Sequence, residues 1–200
     1  MATLLSMASA QAEPPEPHVN NTEVTPFVGF MAGGRFEDPV DSSDRDVKED
    51  TNFGVILDLN ADGPERQYEL LYSQESTQVE GAVPLNLDVQ YLQIGGIVNF
   101  MDNPRVVPFF GITVGAARFS PDANGMDSET KIAFSIGGGL KIPITDHVGI
   151  RLDGRAFITL LDTDGNIFCV SSSTVSGCRI RAQSDTFIQY AAMLGITAGF

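Results

Sequence analysis

The stretch Thr186-Phe187-Ile188-Gln189-Tyr190-Ala191-Ala192-Met193-Leu194-Gly195-Ile196-Thr197-Ala198-Gly199-Phe200 decides the fold. At period two, one face carries Ile188, Tyr190, Ala192, Leu194, Ile196, Ala198 and Phe200. The other carries Phe187, Gln189, Ala191, Met193, Gly195, Thr197 and Gly199. Alternation of this kind marks a strand whose two faces meet different surroundings. It runs well past the ~5–6 residues usual for a strand of a soluble sheet. It ends on an aromatic, with no polar tail after it.

Seven earlier stretches alternate in the same way. They run from about Pro26 to Phe36, Thr51 to Asn60, Arg66 to Glu75, Leu87 to Phe100, Val107 to Phe119, Lys131 to Ile142 and Val148 to Leu160. The sixth strand in order is the cleanest, with Ile132, Phe134, Ile136, Leu140 and Ile142 opposing Ala133, Ser135, Gly137, Gly139 and Lys141. Helical periods are absent, which argues against α and α/β folds. The connections Ala61–Glu65, Met101–Arg105 and Thr145–His147 are short and made of turn-forming residues. The segments Glu37–Asp50, Ser76–Pro84, Ser120–Glu129 and Leu161–Asp185 are long and polar. Long and short connections therefore alternate, starting and finishing with a long one.

Two hundred residues suffice for one domain of ordinary size. The net charge is −14, from 12 basic against 26 acidic residues, which argues against nucleic acid as a partner. The acids gather in the connections; Glu37–Asp50 alone holds seven. No apolar run reaches the ~20 residues of a transmembrane helix, but a membrane-crossing strand needs only ~9–11. Residues 1–12 read as the remnant of a secretory signal, since Ala8-Ser9-Ala10 and Ala10-Gln11-Ala12 both fit a small-x-small cleavage site although a basic n-region is missing. Residues 13–25, with Glu13-Pro14-Pro15-Glu16-Pro17, are expected to be an unstructured periplasmic lead-in, leaving 26–200 as one domain. Cys169 and Cys178 lie nine apart in a polar, Ser-rich stretch, a spacing that suits a disulfide across a hairpin loop in an oxidising compartment.

The apolar face of these strands holds nearly all the large aliphatics and aromatics. The other face is rich in glycine and small polar residues, with several charges. As a soluble surface it is too small and too glycine-rich. Turned inward, it suits an eight-stranded barrel whose lumen side chains just fill. The expected fold is therefore all-β, an eight-stranded antiparallel up-and-down transmembrane barrel with long loops outside and short periplasmic turns. Tyr91-Leu92-Gln93-Ile94-Gly95-Gly96, Pro108 to Gly115 and the terminal strand resemble the OmpA/OmpX kind of bacterial outer-membrane barrel, over about residues 25 to 200. No tryptophan is present, so Tyr68, Tyr72, Tyr190, Phe36 and Phe100 would form the interfacial girdle. The resemblance implies an outer-membrane monomer in contact with lipid and lipopolysaccharide. It also implies that Phe200 is part of the signal read by the barrel-assembly machinery.

Some barrels of this size act on lipid A with a histidine near the extracellular side. Here His18 falls in the lead-in and His147 in a periplasmic turn, so no catalytic residues are assigned. Asp162 to Asn166 and Asp122 to Asp127 lack the spacing of a calcium loop, so no metal site and no cofactor are assigned either. Lumen charges carry more. Parity points Arg35, Asp58, Glu69, Lys141, Arg151, Asp153 and Arg155 inward. Opposite charges at one level of a narrow lumen should pair, because unpaired burial is costly. The expectation is a barrel without enzymatic activity, structural or surface-interacting, with Asp58, Glu69, Lys141, Arg151, Asp153 and Arg155 closing or gating it. A small-solute channel and a soluble lipocalin-like binder are the alternatives.

Overall fold

The computed structural model describes residues 20–37, 44–46, 49–79, 85–122, 128–161, 166–171, 176–181 and 186–200, with side chains described in 20–34, 49–77, 86–122, 128–161 and 186–200. Residues 1–19, which hold the expected signal remnant, most of the expected lead-in and His18, lie outside these residues. Twelve strands are present among them: β1 Thr22–Gly33, β2 Arg35–Glu37, β3 Asp44–Asp46, β4 Asp50–Asn60, β5 Arg66–Val79, β6 Leu85–Asn99, β7 Val107–Pro121, β8 Glu129–Pro143, β9 Val148–Leu160, β10 Asn166–Ser171, β11 Ser176–Arg181 and β12 Thr186–Gly199. Eight of them close an antiparallel barrel in the order β1-β12-β9-β8-β7-β6-β5-β4, with β4 returning to β1. Closure leaves no free edge, which matters for strands this long.

The barrel is apolar outside and polar within. Phe30, Ile94, Ile112, Leu194 and Ile196 are all more than half exposed on the outer wall. Arg151, Glu69, Asp58, Gln93, Thr113 and Ser135 are buried in the lumen. On β5 to β8 the outer apolar band stops at a polar rung, where Gln74 faces Gln90, Gln90 faces Arg118 and Arg118 faces Thr130. Above that rung β5 and β6 continue as a projecting hairpin, so both strands exceed the bounds read from alternation. Tyr68, Tyr190 and Phe100 are exposed on the outer surface; Tyr72 is half-buried. The side chain of Phe36 lies outside the described residues.

Three departures from the sequence reading have clear causes. β1 starts at Thr22 rather than Pro26, because Thr22 to Thr25 pair with β4 from Leu59 to Ile56. Pro26 has no N–H to give β12, so the β1–β12 ladder lapses there, and Thr25 and Thr197 bond through their hydroxyls instead at 2.9 Å. Second, β1 does not run to Phe36. Gly33 and Gly34 both adopt φ of 95°, a conformation open to glycine, and turn the chain out of the barrel. Arg35, expected in the lumen, instead starts β2 and pairs with Asp46 of β3. Third, the connection after β9 is not a plain loop: β10 and β11 form a hairpin that joins β2 and β3 in a separate four-stranded sheet, order β10-β11-β2-β3.

Candidate functional site

Two like-charged rungs face each other across the lumen. Asp58 of β4 sits directly opposite Glu69 of β5, and Lys141 of β8 directly opposite Arg151 of β9. Either rung alone is unfavourable, since like charges on paired strands repel. In the barrel order β4 lies diametrically across from β8, and β5 across from β9. The two rungs therefore neutralise each other through the middle of the barrel.

The contacts are short and reciprocal. Arg151 gives Nη1 to Asp58 Oδ2 at 2.7 Å and Nη2 to Glu69 Oε2 at 2.6 Å. Arg155 gives Nη1 to Glu69 Oε1 at 2.7 Å. Asp153, between them on the same inward face of β9, accepts from both arginines at 2.9 and 3.0 Å. Lys141 donates to Asp58 Oδ2 at 3.0 Å and to Glu23 Oε2 at 2.6 Å. The Arg151 guanidinium also lies over the Phe109 ring, 4.4 Å from its centroid, in a cation–π contact. Each of the six charges singled out in the sequence thus touches an opposite charge.

Polar amides and hydroxyls extend this layer in both directions. Toward the short turns, Lys141 donates to Gln67 Oε1 at 2.7 Å, and Asn99 donates to the same oxygen at 3.0 Å. Toward the long loops, Arg155 reaches Ser135 at 3.4 Å, Ser135 bonds Thr113 at 2.5 Å, and Thr113 donates to Gln93 at 2.8 Å. Higher still, Tyr91 stacks on Phe157 with centroids 4.5 Å apart, and Phe119 meets Phe187 edge-on at 5.5 Å. Gln67 and Asn99 share the inward parity of the polar face but carry no charge to single them out; Glu23 shares its parity with Thr25 and Phe27 but lies ahead of Pro26, where alternation places the start of the strand.

The remaining singled-out residues lie away from this layer. His147 is exposed in the turn between β8 and β9. Phe200 is 73% exposed on the outer wall, and its backbone pairs both ways with Thr22. Cys169 and Cys178 are directly opposed on β10 and β11; their side chains lie outside the described residues. Asp162 to Gly165 and residues 123 to 127 of the other acidic loop also lie outside them.

The chain matches the family described as outer membrane protein beta-barrel domain over residues 1–174. No curated protein matches it. Among solved structures it resembles Neisserial surface protein A, at 11% identity and a TM-score of 0.61, covering 90% of this chain and 97% of that one. OprG from Pseudomonas aeruginosa gives 11% identity and 0.62, covering 92% and 97%. AlkL, determined in lipid bilayers, gives 12% and 0.54, with 97% of each chain covered. At these identities the likeness to solved structures is one of fold.

Proposed function

The chain belongs to the family of outer membrane protein β-barrel domains and lies in the bacterial outer membrane, and on that premise we propose that it is a non-enzymatic barrel, closed by its lumen charges, whose work is envelope stabilisation or recognition at the cell surface. The observation that carries this reading is the double rung of Asp58–Glu69 and Lys141–Arg151, bridged across the full diameter. An ion crossing the lumen would have to displace buried, directly bonded ion pairs, and breaking such pairs is expensive. The short turns face the periplasm in barrels of this design, which sends the β2-β3-β10-β11 sheet outward as the surface offered to partners. Neisserial surface protein A, which shares the fold, is by its name a surface protein. Outer-membrane lipid and lipopolysaccharide surround the wall, a single copy suffices for closure, and the assembly machinery reads Phe200.

In a planar bilayer the purified protein should conduct ions weakly and intermittently. A large steady conductance that Glu69→Ala leaves unchanged would replace this reading with that of a channel. The observation that favours a channel is the uncharged belt of Gln93, Thr113 and Ser135 above the charged layer.

Cys169 and Cys178 close the outer hairpin as a disulfide in this reading. Directly opposed antiparallel residues have Cα atoms about 4.5–5.5 Å apart, inside the span a disulfide bridges. The bond should contribute about 2–3 kcal/mol to holding the hairpin. Mass spectrometry of unreduced protein should show two hydrogens fewer than the reduced chain; two alkylatable thiols in the native protein would refute it.

A further inference from the structure

Tyr72 of β5 marks where the apolar wall ends on the long-loop side. It stands in an outward row with Leu92, Ala116 and Ile132 of β6, β7 and β8. Its hydroxyl donates away from that row, to Gln74 Oε1 at 3.0 Å. A tyrosine with its ring among apolar side chains and its hydroxyl on a polar one suits a membrane–water boundary. The next outward row is Gln74, Gln90, Arg118 and Thr130, directly paired across four successive strands. At ~4.8 Å per strand it spans about 14 Å, wide enough for a lipid headgroup rather than a single ion.

Arg118 is the cation of that row. Ala117 and Phe119 beside it on β7 are buried, and its own side chain is exposed on the outer wall. Its Nη2 donates to Ser128 Oγ at 3.2 Å, which holds the guanidinium toward β8. The ion pairs among the described residues engage Lys131, Lys141, Arg151 and Arg155, and none engages Arg118. Among the described residues the other exposed cations, Arg66 and Arg105, lie at the short-turn end. The net charge of −14 repels an anionic membrane as a whole. Beyond ~8 Å that repulsion is largely screened in physiological salt, so an anion against the wall answers to the charges next to it.

We propose that Gln74, Gln90, Arg118 and Thr130 form a docking row for a phosphate of the outer-leaflet glycolipid, with Arg118 as its ion partner. A guanidinium presents its N–H groups in a planar fork that fits phosphate oxygens. Phosphate oxygens are strong acceptors, and the amides and hydroxyl beside Arg118 add neutral donors. The aliphatic stem of an arginine lies along apolar surface while its head stays at the interface. The row above, Ser76, Asp88 and Ser120, holds one acid, Asp88. Asp88 repels phosphate from that side, so the phosphate seats level with Arg118 or below it, where the rest of the lipid lies. The choice of leaflet rests on the reading that the long loops face outward; the choice of phosphate does not.

The test is lipid retention. Protein refolded into phosphatidylcholine vesicles containing lipid A, then extracted gently, should carry lipid A into native mass spectrometry. Arg118→Gln, which keeps an amide and loses the charge, should lower that retention about fivefold, the factor for one basic residue at an anionic surface. Arg118→Lys should fall between the two. Asp88→Asn should raise retention, and Arg66→Gln at the other rim should leave it unchanged. Lipid A stripped of its phosphates should be retained no better than phosphatidylcholine. Heat-dependent gel mobility shows that each variant has folded. Equal retention by wild type and Arg118→Gln, weaker retention by Asp88→Asn, or retention of phosphatidylglycerol equal to that of lipid A would each overturn the docking row. Orientation is read separately, by labelling Ser128→Cys in intact cells with a membrane-impermeant maleimide. Labelling no greater than that of wild type would overturn the outward direction of the loops, and the glycolipid with it, whatever the vesicles show.

Discussion

Arg151→Ala should destabilise the folded barrel by about 3–5 kcal/mol, the penalty for removing one partner of a buried ion pair, and should raise its conductance. Arg151 is the node of the charged layer, contacting Asp58, Glu69 and Asp153 while its guanidinium covers Phe109. Without it, Asp58 keeps Lys141, and Glu69 and Asp153 share Arg155. Two cations then face four carboxylates, counting Glu23. The like-charged rung of Asp58 and Glu69 loses the group that bridged it. Space the size of an arginine side chain opens at the same level. Denaturant unfolding in lipid vesicles reads the stability, and single-channel recording reads the opening. Adding Asp58→Asn should return part of the loss, since it removes a charge that Arg151→Ala leaves short of partners. An Arg151→Ala barrel that unfolds at the wild-type denaturant concentration would show that the ion pairs hold nothing together.

Deleting Phe200 should sharply reduce insertion in cells and leave refolding into detergent nearly intact. In the folded barrel Phe200 contributes two backbone bonds with Thr22, at 2.9 and 3.3 Å, and a side chain directed outward. Two net hydrogen bonds at about 0.5–1.5 kcal/mol each are a modest loss, because Gly199 still pairs with Glu23 and donates to His147. A large defect in cells beside a small one in detergent therefore separates recognition by the assembly machinery from stability. Equal insertion of intact and truncated chains would remove Phe200 from the assembly signal.

Strand identity and the side chains each strand turns inward were legible in the amino-acid order, because side chains alternate strictly along an extended backbone. Leu152 and Gly154 face out and Arg151, Asp153 and Arg155 face in on that ground alone. The break after Gly33 was less legible. Two adjacent glycines are compatible with a strand, and only their φ values show the chain leaving it. The β10–β11 hairpin was hidden by its polar flanks, since Ile167 to Val170 is too short a run to signal a strand by period.

The sequence by itself therefore determined an eight-stranded barrel, polar within and apolar without, since both follow from a local period of two and from composition. Only the tertiary structure decided that Asp58 opposes Glu69, that Lys141 opposes Arg151, and that these rungs meet across a diameter. Pairing depends on strand stagger and on closure of the sheet between β1 and β4, which are properties of all eight strands together. A shift of one residue in any one register would turn that strand's lumen charges toward lipid. The sum over every strand pair selects the register, and no single stretch of the chain contains it.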